Sequence, residues 1–312
     1  MTNLQTKLSS LRLNNPTLLA SGFLDVSGKL MLRVAGSGAG GVVTKSIAPK
    51  PNPGYVNPTV FEVEGGLINA MGLPNPGVNE FLKEMEILRP ARIPVIASVY
   101  GKNPDEFAAV AVKLQEAGAT AIELNLSCPH AQKLIEFSQD SHLAGEVTGA
   151  VKSAVGIPVF AKIAQETSDL LGIADAVLGA GADGITAINT IRSTSIDITI
   201  RKPVLSNVYG GLSGKAIKPI AVRCVYEIAK QYHCPIMGVG GVYDWKDAVE
   251  FILAGASAVQ IGTAITYRGL KVFNEVSEGI KQYMETNGFR SVRDMVGLAT
   301  DGSEPIAVDQ KA

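Results

Sequence analysis

The stretch Pro94–Leu126 reads PVIASVYGKNPDEFAAVAVKLQEAGATAIELNL and contains two apolar runs joined by one amphipathic segment. The runs Pro94–Val99 and Ala121–Leu126 are short and apolar, which is typical of strands that are buried on both faces. Between them, Pro104–Ala117 has helical periodicity and stops before Gly118. The stretch is therefore predicted to form a strand, a helix and a second strand, which is the repeating unit of a parallel sheet.

The same unit recurs along the rest of the chain. The other six apolar runs are Thr17–Gly22, Gly41–Ser46, Pro158–Ile163, Gly184–Asn189, Pro235–Gly240 and Ala258–Thr263. Helical segments such as Thr167–Ala180 and Asp244–Ala254 separate most of them, and several lead into the next strand through an Ala-Gly-Ala step. Eight alternating units predict the α/β class and a closed (β/α)8 TIM barrel, in which the chemistry lies at the C-terminal ends of the strands.

Two connections are too long to hold a single helix, residues 47–93 and residues 190–234. Both leave from C-terminal strand ends, so we expect insertions at the C-terminal rim that fold over the site. Residues 129–142 are interpreted as a third loop or lid. Because no linker or low-complexity segment divides the chain, residues 1–312 are predicted to form one barrel domain.

The composition excludes several function classes. A net charge of −1 predicts no binding of nucleic acid or of an anionic membrane surface, and no apolar run approaches the roughly 20 residues that span a bilayer. Residues 1–15 contain no continuous apolar core, so we expect that they are not a secretory signal. Three cysteines, Cys128, Cys224 and Cys234, lack a zinc spacing and suggest reduced thiols in a cytosolic protein. With only three histidines in the chain, we expect no metal site.

Three side chains near predicted strand ends suggest chemistry. Cys128 follows the fourth strand, and its thiol is either a small buried apolar group or a reactive one. Its motif contains no His/Asp partner for acyl transfer, which favours a proton-transfer role over a nucleophile. Lys45 and Lys162 either extend to solvent or point inward, and an inward ammonium requires an anion or polar atoms. The two lysines together favour an anionic ligand.

Amides and glycines complete the predicted rim. Asn69, Asn125 and Asn189 either cap turns or, with Ser127 and Thr190, bind a planar ring with alternating carbonyl and NH groups. The pairs Gly240–Gly241 and Gly262–Thr263 end the seventh and eighth strands, where barrels usually bind phosphate. Gly211 and Gly214 of the second insertion are candidates to complete that phosphate site.

The motifs resemble those of the dihydroorotate dehydrogenases, from about residue 4 to residue 285. The resemblance is carried by INAMGLPNPG in the first insertion, NLSCP after strand four, FAKI on strand five, INT on strand six, GGLSGKAIKP, and GVGGV followed by QIGTA. In that family the barrel binds FMN and oxidises dihydroorotate to orotate in pyrimidine synthesis. The resemblance therefore implies a single FMN-binding barrel over residues 1–312.

It also implies roles for individual residues. Cys128 corresponds to the base that takes the C5 proton of the substrate, while the C6 hydride passes to FMN. The implied substrate contacts are Lys45, Asn69, Gly72, Leu73, Asn125, Asn189 and Thr190. The implied FMN contacts are Ser21, Lys45, Ser46, Ser98, Asn125, Lys162, Ile188, Gly214, Gly240, Gly241, Gly262 and Thr263.

A cysteine base marks the soluble class 1 of the family, and NxxGGLSGxAIKP is similar to its NAD-linked class 1B. That class implies a partner subunit with FAD and an iron–sulfur cluster, and we also expect a homodimer. The alternatives are a fumarate-linked class 1A enzyme and, because His130 follows SCP, a barrel like that of dihydropyrimidine dehydrogenase. Two further rivals are a Schiff-base barrel with Lys162 as nucleophile and a non-catalytic flavin-binding subunit.

Overall fold

A closed barrel of eight parallel strands forms the centre of the computed structural model, which describes residues 2–126 and 139–300. The described residues form sixteen strands, both inside and outside the barrel. In chain order they are β1 (Thr6–Leu8), β2 (Leu11–Leu13), β3 (Thr17–Leu19), β4 (Gly41–Val43), β5 (Val60–Val63), β6 (Gly66–Asn69), β7 (Val95–Val99), β8 (Ala121–Asn125), β9 (Val159–Ile163), β10 (Gly184–Ala187), β11 (Ile191–Ser193), β12 (Ile196–Asp197), β13 (Lys202–Pro203), β14 (Gly210–Ser213), β15 (Ile236–Val239) and β16 (Ala258–Ile261). The barrel order is β3-β4-β7-β8-β9-β10-β15-β16, and β16 pairs with β3 to close it. The predicted TIM barrel is confirmed.

Helices pack outside the barrel between its strands. They are α1 (Gly28–Gly36), α2 (Val78–Leu88), α3 (Pro104–Glu116), α4 (Ser141–Ala154), α5 (Leu170–Gly179), α6 (Lys218–Gln231), α7 (Trp245–Leu253), α8 (Ala264–Arg268) and α9 (Val272–Asn287). Short 3-10 helices cover Arg89–Ala91, Lys215–Ile217 and Val292–Asp294. Capping side chains set several starts: Asn103 accepts from the Glu106 N–H before α3, and Asp244 forms a capping box with Asp247 before α7.

The N-terminal end of the barrel is closed by apolar side chains. The antiparallel hairpin β1–β2 alternates buried and exposed residues, and its buried face presents Leu8, Leu11 and Leu13. These leucines pack in one cluster with interior side chains of the barrel, including Phe160 and Met237. The hairpin therefore seals one end of the barrel by hydrophobic burial.

The two long insertions pair with each other. Strands β5 and β6 come from residues 47–93, and β11 and β14 come from residues 190–234. They form one four-stranded sheet in the order β11-β14-β6-β5, in which Asn69 pairs with Gly211. A Cβ at Gly66 would lie 1.8 Å from the Ser213 carbonyl oxygen, so only glycine permits this strand approach.

The predicted lid, residues 129–142, is described only at its end. Its last two residues, Ser141 and His142, belong to α4, whose N-cap is Asp140. Residues 127–138 lie outside the described residues, and this range includes Ser127, Cys128, His130 and most of the predicted lid. Among the described helices, none is both long and apolar enough to cross a membrane.

Candidate active site

Two adjoining cavities lie where the barrel's C-terminal strand ends meet the four-stranded sheet. Their volumes are about 370 Å³ and 270 Å³. Ser21, Lys162, Asn189 and Thr190 are among the side chains that line both. Both insertions also contribute to the walls, so the site is assembled from the barrel rim and the sheet that covers it.

The smaller cavity collects all the residues predicted to contact the substrate. They are Lys45, Asn69, Gly72, Leu73, Asn125, Asn189 and Thr190. Asn69 is the last residue of β6, and Asn125 is the last residue of β8. Asn189 is held beside the end of β9, because its backbone N–H donates to the Ile163 carbonyl. Residues that are far apart in the chain therefore surround one space with amide groups.

A chain of hydrogen bonds links the polar side chains of this wall. The Ser46 and Ser98 hydroxyls lie 2.9 Å apart, Asn125 Nδ2 donates to Ser46 Oγ at 3.0 Å, and Asn189 Nδ2 lies 3.3 Å from Asn125 Oδ1. Ser98 is buried behind Ser46 and is not among the residues that line either cavity. The structure therefore does not bring Ser98 to a cavity wall, and its contact with FMN stays a prediction.

Small residues edge the larger cavity. Gly214, Gly240, Gly241, Gly262 and Thr263 line it, as does Ile188. Gly241 has φ +84°, and a Cβ there would lie 2.6 Å from Lys218 Cβ and 2.9 Å from the Gly214 carbonyl oxygen. A side chain is thus excluded at Gly241, where the backbone N–H can approach phosphate oxygens closely.

Lys162 and Glu123 form an ion pair at the floor of both cavities. Lys162 Nζ lies 3.6 Å from Glu123 Oε1, and both side chains are buried. Glu123 Oε2 accepts hydrogen bonds from Thr186 Oγ1 at 3.0 Å and from Gln260 Nε2 at 2.6 Å. Glu123 is not among the residues predicted from the sequence, although a carboxylate within the apolar run AIELNL was a usable signal.

A second carboxylate that sequence reasoning missed is Asp25, beside Ser21 and Lys45. Asp25 accepts hydrogen bonds from the Gly22 N–H and, at 3.4 Å, from Ser21 Oγ. Burial raises the pKa of the Asp25 carboxyl above its ordinary value, and the Lys45 ammonium offsets part of that rise. Asp25 therefore places a buried acid directly behind the predicted ligand contacts.

The two cysteines in the described ranges do not line either cavity. Cys224 is buried on α6 and Cys234 precedes β15, at the opposite end of the barrel from the cavities. Burial raises the pKa of each thiol to about 11, so both remain protonated and unreactive at neutral pH. Neither competes with Cys128 as a candidate base.

The closed barrel is a (β/α)8 barrel, and its two cavities lie at the C-terminal end of the strands, where this fold usually places its active site. A family model described as dihydroorotate dehydrogenase matches residues 3–284. The catalytic subunit named dihydroorotate dehydrogenase B (NAD(+)) from Pyrococcus furiosus is 51% identical over 298 residues, 95% of this chain and 99% of that protein. The chain therefore belongs to the dihydroorotate dehydrogenase family, and the resemblance found in its sequence is confirmed.

Other comparisons agree. The subunit of the same name from Methanothermobacter thermautotrophicus is 48% identical over 301 residues, 96% of this chain and 99% of that protein. The crystal structure of ligand-free DHODH from Eimeria tenella matches with a TM-score of 0.84, covering 95% of this chain and 91% of that one. At 24% identity, that structure supports the fold alone.

Proposed function

We propose that this protein oxidises (S)-dihydroorotate to orotate in pyrimidine biosynthesis, with FMN as its cofactor. The observation that carries the proposal is the division of the site into a glycine-edged cavity and an amide-lined cavity that share Lys162. One half has the close backbone approach that phosphate requires, and the other has polar groups suited to a pyrimidine ring. The names of the relatives that match at about half identity support the same reaction.

The residues of the larger cavity fit FMN. Gly214, Gly240, Gly241, Gly262 and Thr263 would hold its phosphate end, with Ile188 and Ser21 at the cavity wall. Lys162 and, in the adjoining cavity, Lys45, Ser46 and Asn125 would hold its ring, with Ser98 supporting Ser46. When bound, FMN supplies the two-electron acceptor that none of the protein's own side chains provides.

The chain's own residues then bind, orient and deprotonate the substrate. The amides of Asn69, Asn125 and Asn189, with Thr190, hold the ring, while Lys45 offers a cation to the substrate carboxylate. Cys128, as thiolate, takes the proton from C5 onto its sulfur. Lys162 provides positive charge at the cavity floor, where negative charge develops during the reaction.

We further propose how the electrons leave. The relatives are named as NAD(+) catalytic subunits, which supports a separate partner with FAD and an iron–sulfur cluster that passes electrons to NAD. We propose that residues 1–312 act as a single FMN-binding domain within a homodimeric core. The free thiols of Cys224 and Cys234 are in keeping with a cytoplasmic location.

The absorption spectrum of the purified protein and its turnover test this proposal. Purified protein should be yellow and should reduce an artificial dye with dihydroorotate, but it should reduce NAD poorly until the partner subunit is added. Rapid fumarate reduction by the chain alone would instead assign it to class 1A. Uracil turnover would favour the dihydropyrimidine dehydrogenase alternative, and a colourless protein trapped on Lys162 by borohydride would favour the Schiff-base alternative.

The Cys128→Ala variant tests the base directly. Stopped-flow reduction of bound flavin by dihydroorotate should slow by about 10²–10⁴-fold, because that is the usual contribution of general-base catalysis. Cys234→Ala is the matched control, since this thiol lies at the other end of the barrel and should leave the rate unchanged. Equal rates in both variants would remove Cys128 from the mechanism.

A further inference from the structure

The buried carboxylate of Glu123, beneath the two cavities, has no place in the proposed reaction. It nevertheless contacts Lys162, which is the one lysine among the described residues that lines both cavities. We propose that Glu123 is a positioning residue that holds the Lys162 ammonium at the cavity floor and limits how strongly its charge acts on the bound cofactor. This inference rests on the proposed FMN function. It begins from the burial of Glu123, whose side chain is 0% exposed on β8.

The carboxylate of Glu123 is held in one orientation. Thr186 on β10 and Gln260 on β16 both donate to Oε2, at 3.0 Å and 2.6 Å. Two donors on one oxygen resist rotation of the group, so the other oxygen, Oε1, is directed at Lys162 Nζ at 3.6 Å. Oε1 accepts no hydrogen bond from the described residues.

The surroundings make Lys162 the partner on which Glu123 depends. Phe160 on β9 pairs in register with Glu123, and Met237 Sδ lies 3.8 Å from Gln260 Nε2. The barrel interior on the N-terminal side of Glu123 is therefore apolar. Burying a carboxylate without a counter-charge is strongly unfavourable. Within the described ranges, Lys162 is the one cation within 4.0 Å of Glu123.

The position of the pair explains what the carboxylate does for the site. Lys162 lines both cavities, while Glu123 lines neither and lies toward the barrel interior. The ion pair therefore draws the ammonium toward the interior and offsets part of its charge. Without the carboxylate, more of the positive charge of Lys162 acts on the cavity and favours the more negative, reduced form of the cofactor.

Midpoint potentials of bound FMN in a double-mutant cycle test this inference. Glu123→Gln removes the charge but keeps an acceptor for Thr186 and Gln260. It should raise the midpoint potential of bound FMN by about 30 mV or more. For a two-electron couple, this corresponds to a roughly tenfold increase, relative to the wild type, in the ratio of the affinity for reduced FMN to that for oxidised FMN. In a Lys162→Met background the same substitution should have a much smaller effect, because Glu123 acts through Lys162.

Glu84→Gln is the matched control, since this glutamate on α2 accepts from the Gly28 N–H at 2.7 Å and lies away from both cavities. Its midpoint should equal that of the wild type. An unchanged or lowered midpoint in Glu123→Gln would overturn the inference, and so would an equal rise in both backgrounds. The measurement of the midpoint potential does not depend on turnover.

Thermal unfolding of the cofactor-free variants provides a second readout. Each single variant removes one member of this buried ion pair and should melt lower than the double variant Glu123→Gln/Lys162→Met. If Glu123→Gln fails to fold but the double variant folds, the pairing is supported; if neither folds, the inference is overturned. If these variants show coupling but the wild type binds no FMN, the proposed function fails while the positioning of Lys162 stands.

Discussion

At the N-terminal end of the barrel, Leu8, Leu11 and Leu13 pack against interior side chains and seal the opening. At the C-terminal end, polar or glycine residues lie at or just beyond most strand ends, and two cavities remain open above Lys162. Both ends belong to the same eight strands. The difference shows that one end of each strand contributes packing while the other is available for chemistry.

An aspartate at each end of the barrel has a shifted pKa, and the two shifts are in opposite directions. At the N-terminal end, Asp183 pairs with Lys152 and accepts from the Val159 N–H and Ser9 Oγ. These contacts outweigh desolvation and lower the pKa of Asp183. At the cavity end, desolvation dominates and raises the pKa of Asp25. A paired carboxylate stabilises the fold, whereas a buried one at the site reduces stability at neutral pH.

Leu8→Ala should show most clearly that the N-terminal end of the barrel contributes stability and the C-terminal end activity. It removes a fully buried side chain from the seal and should cost about 2–5 kcal/mol of unfolding free energy. Activity per folded molecule should stay at the wild-type value, because the cavities lie at the other end. Urea unfolding and turnover measured together check this, with the exposed Lys7→Ala on the same strand as control. A loss of kcat matching the loss of stability would break the comparison.

Gly241→Ala should damage the cavity end. The residue has φ +84° and its Cβ would lie 2.6 Å from Lys218 Cβ, so backbone strain of about 1–3 kcal/mol should weaken FMN binding by roughly tenfold or more. Gly288→Ala is the control, because its φ is +76° but nothing lies within 4 Å of the added Cβ. Fluorescence titration of cofactor-free protein with FMN measures both. Equal affinities would show that strain at Gly241 does not reach the cofactor.

Asp183→Asn should lower stability at pH 7 by about 1–2 kcal/mol, since it removes charged hydrogen bonds while Lys152 is partly exposed to solvent. Because the pKa of Asp183 is lowered in the fold, its stabilisation is present above its ordinary value of 3.8 and is lost as the pH falls through the folded value. Urea unfolding at pH 7 and near pH 3 should show the wild type and variant converging in acid. A difference independent of pH would contradict the charge argument.

Asp25→Asn should have the smallest effect and the opposite sign. The pKa of Asp25 is raised in the fold, so the wild type loses stability as the pH rises from 3.8 through the folded value. The asparagine does not ionise and keeps an acceptor for the Gly22 N–H, so the variant should match or slightly exceed wild-type stability at pH 7. Thermal melting curves of both proteins across this pH range measure the difference. A variant that is less stable than the wild type at neutral pH, but not at acid pH, would contradict the raised pKa of Asp25.

The fold could be predicted because each strand is recognisable by itself. Every predicted run contains a barrel strand, and the helix predicted at Asp244–Ala254 forms as Trp245–Leu253 with Asp244 as its cap. Short runs with apolar residues on both faces, bounded by glycine or proline, are local signals. The strand-end residues followed from the barrel, because the fold places all C-terminal strand ends together.

Other features depend on contacts between distant segments. Nothing in residues 47–93 alone indicates that β6 pairs with β14, about 140 residues later in the chain. The significance of Glu123 was equally hidden, because Thr186, Lys162 and Gln260 come from three other strands. The opposite pKa shifts of Asp25 and Asp183 likewise depend on their neighbours in space.

The sequence by itself therefore determined the barrel, the end at which the site lies, and the family, since these follow from local periodicity and contiguous motifs. Only the tertiary structure showed that the two insertions form one sheet and that the site divides into two cavities sharing Lys162. It alone revealed the carboxylate beneath that lysine. The physical reason is that burial and charge pairing are set by distances across the barrel, which chain order does not encode.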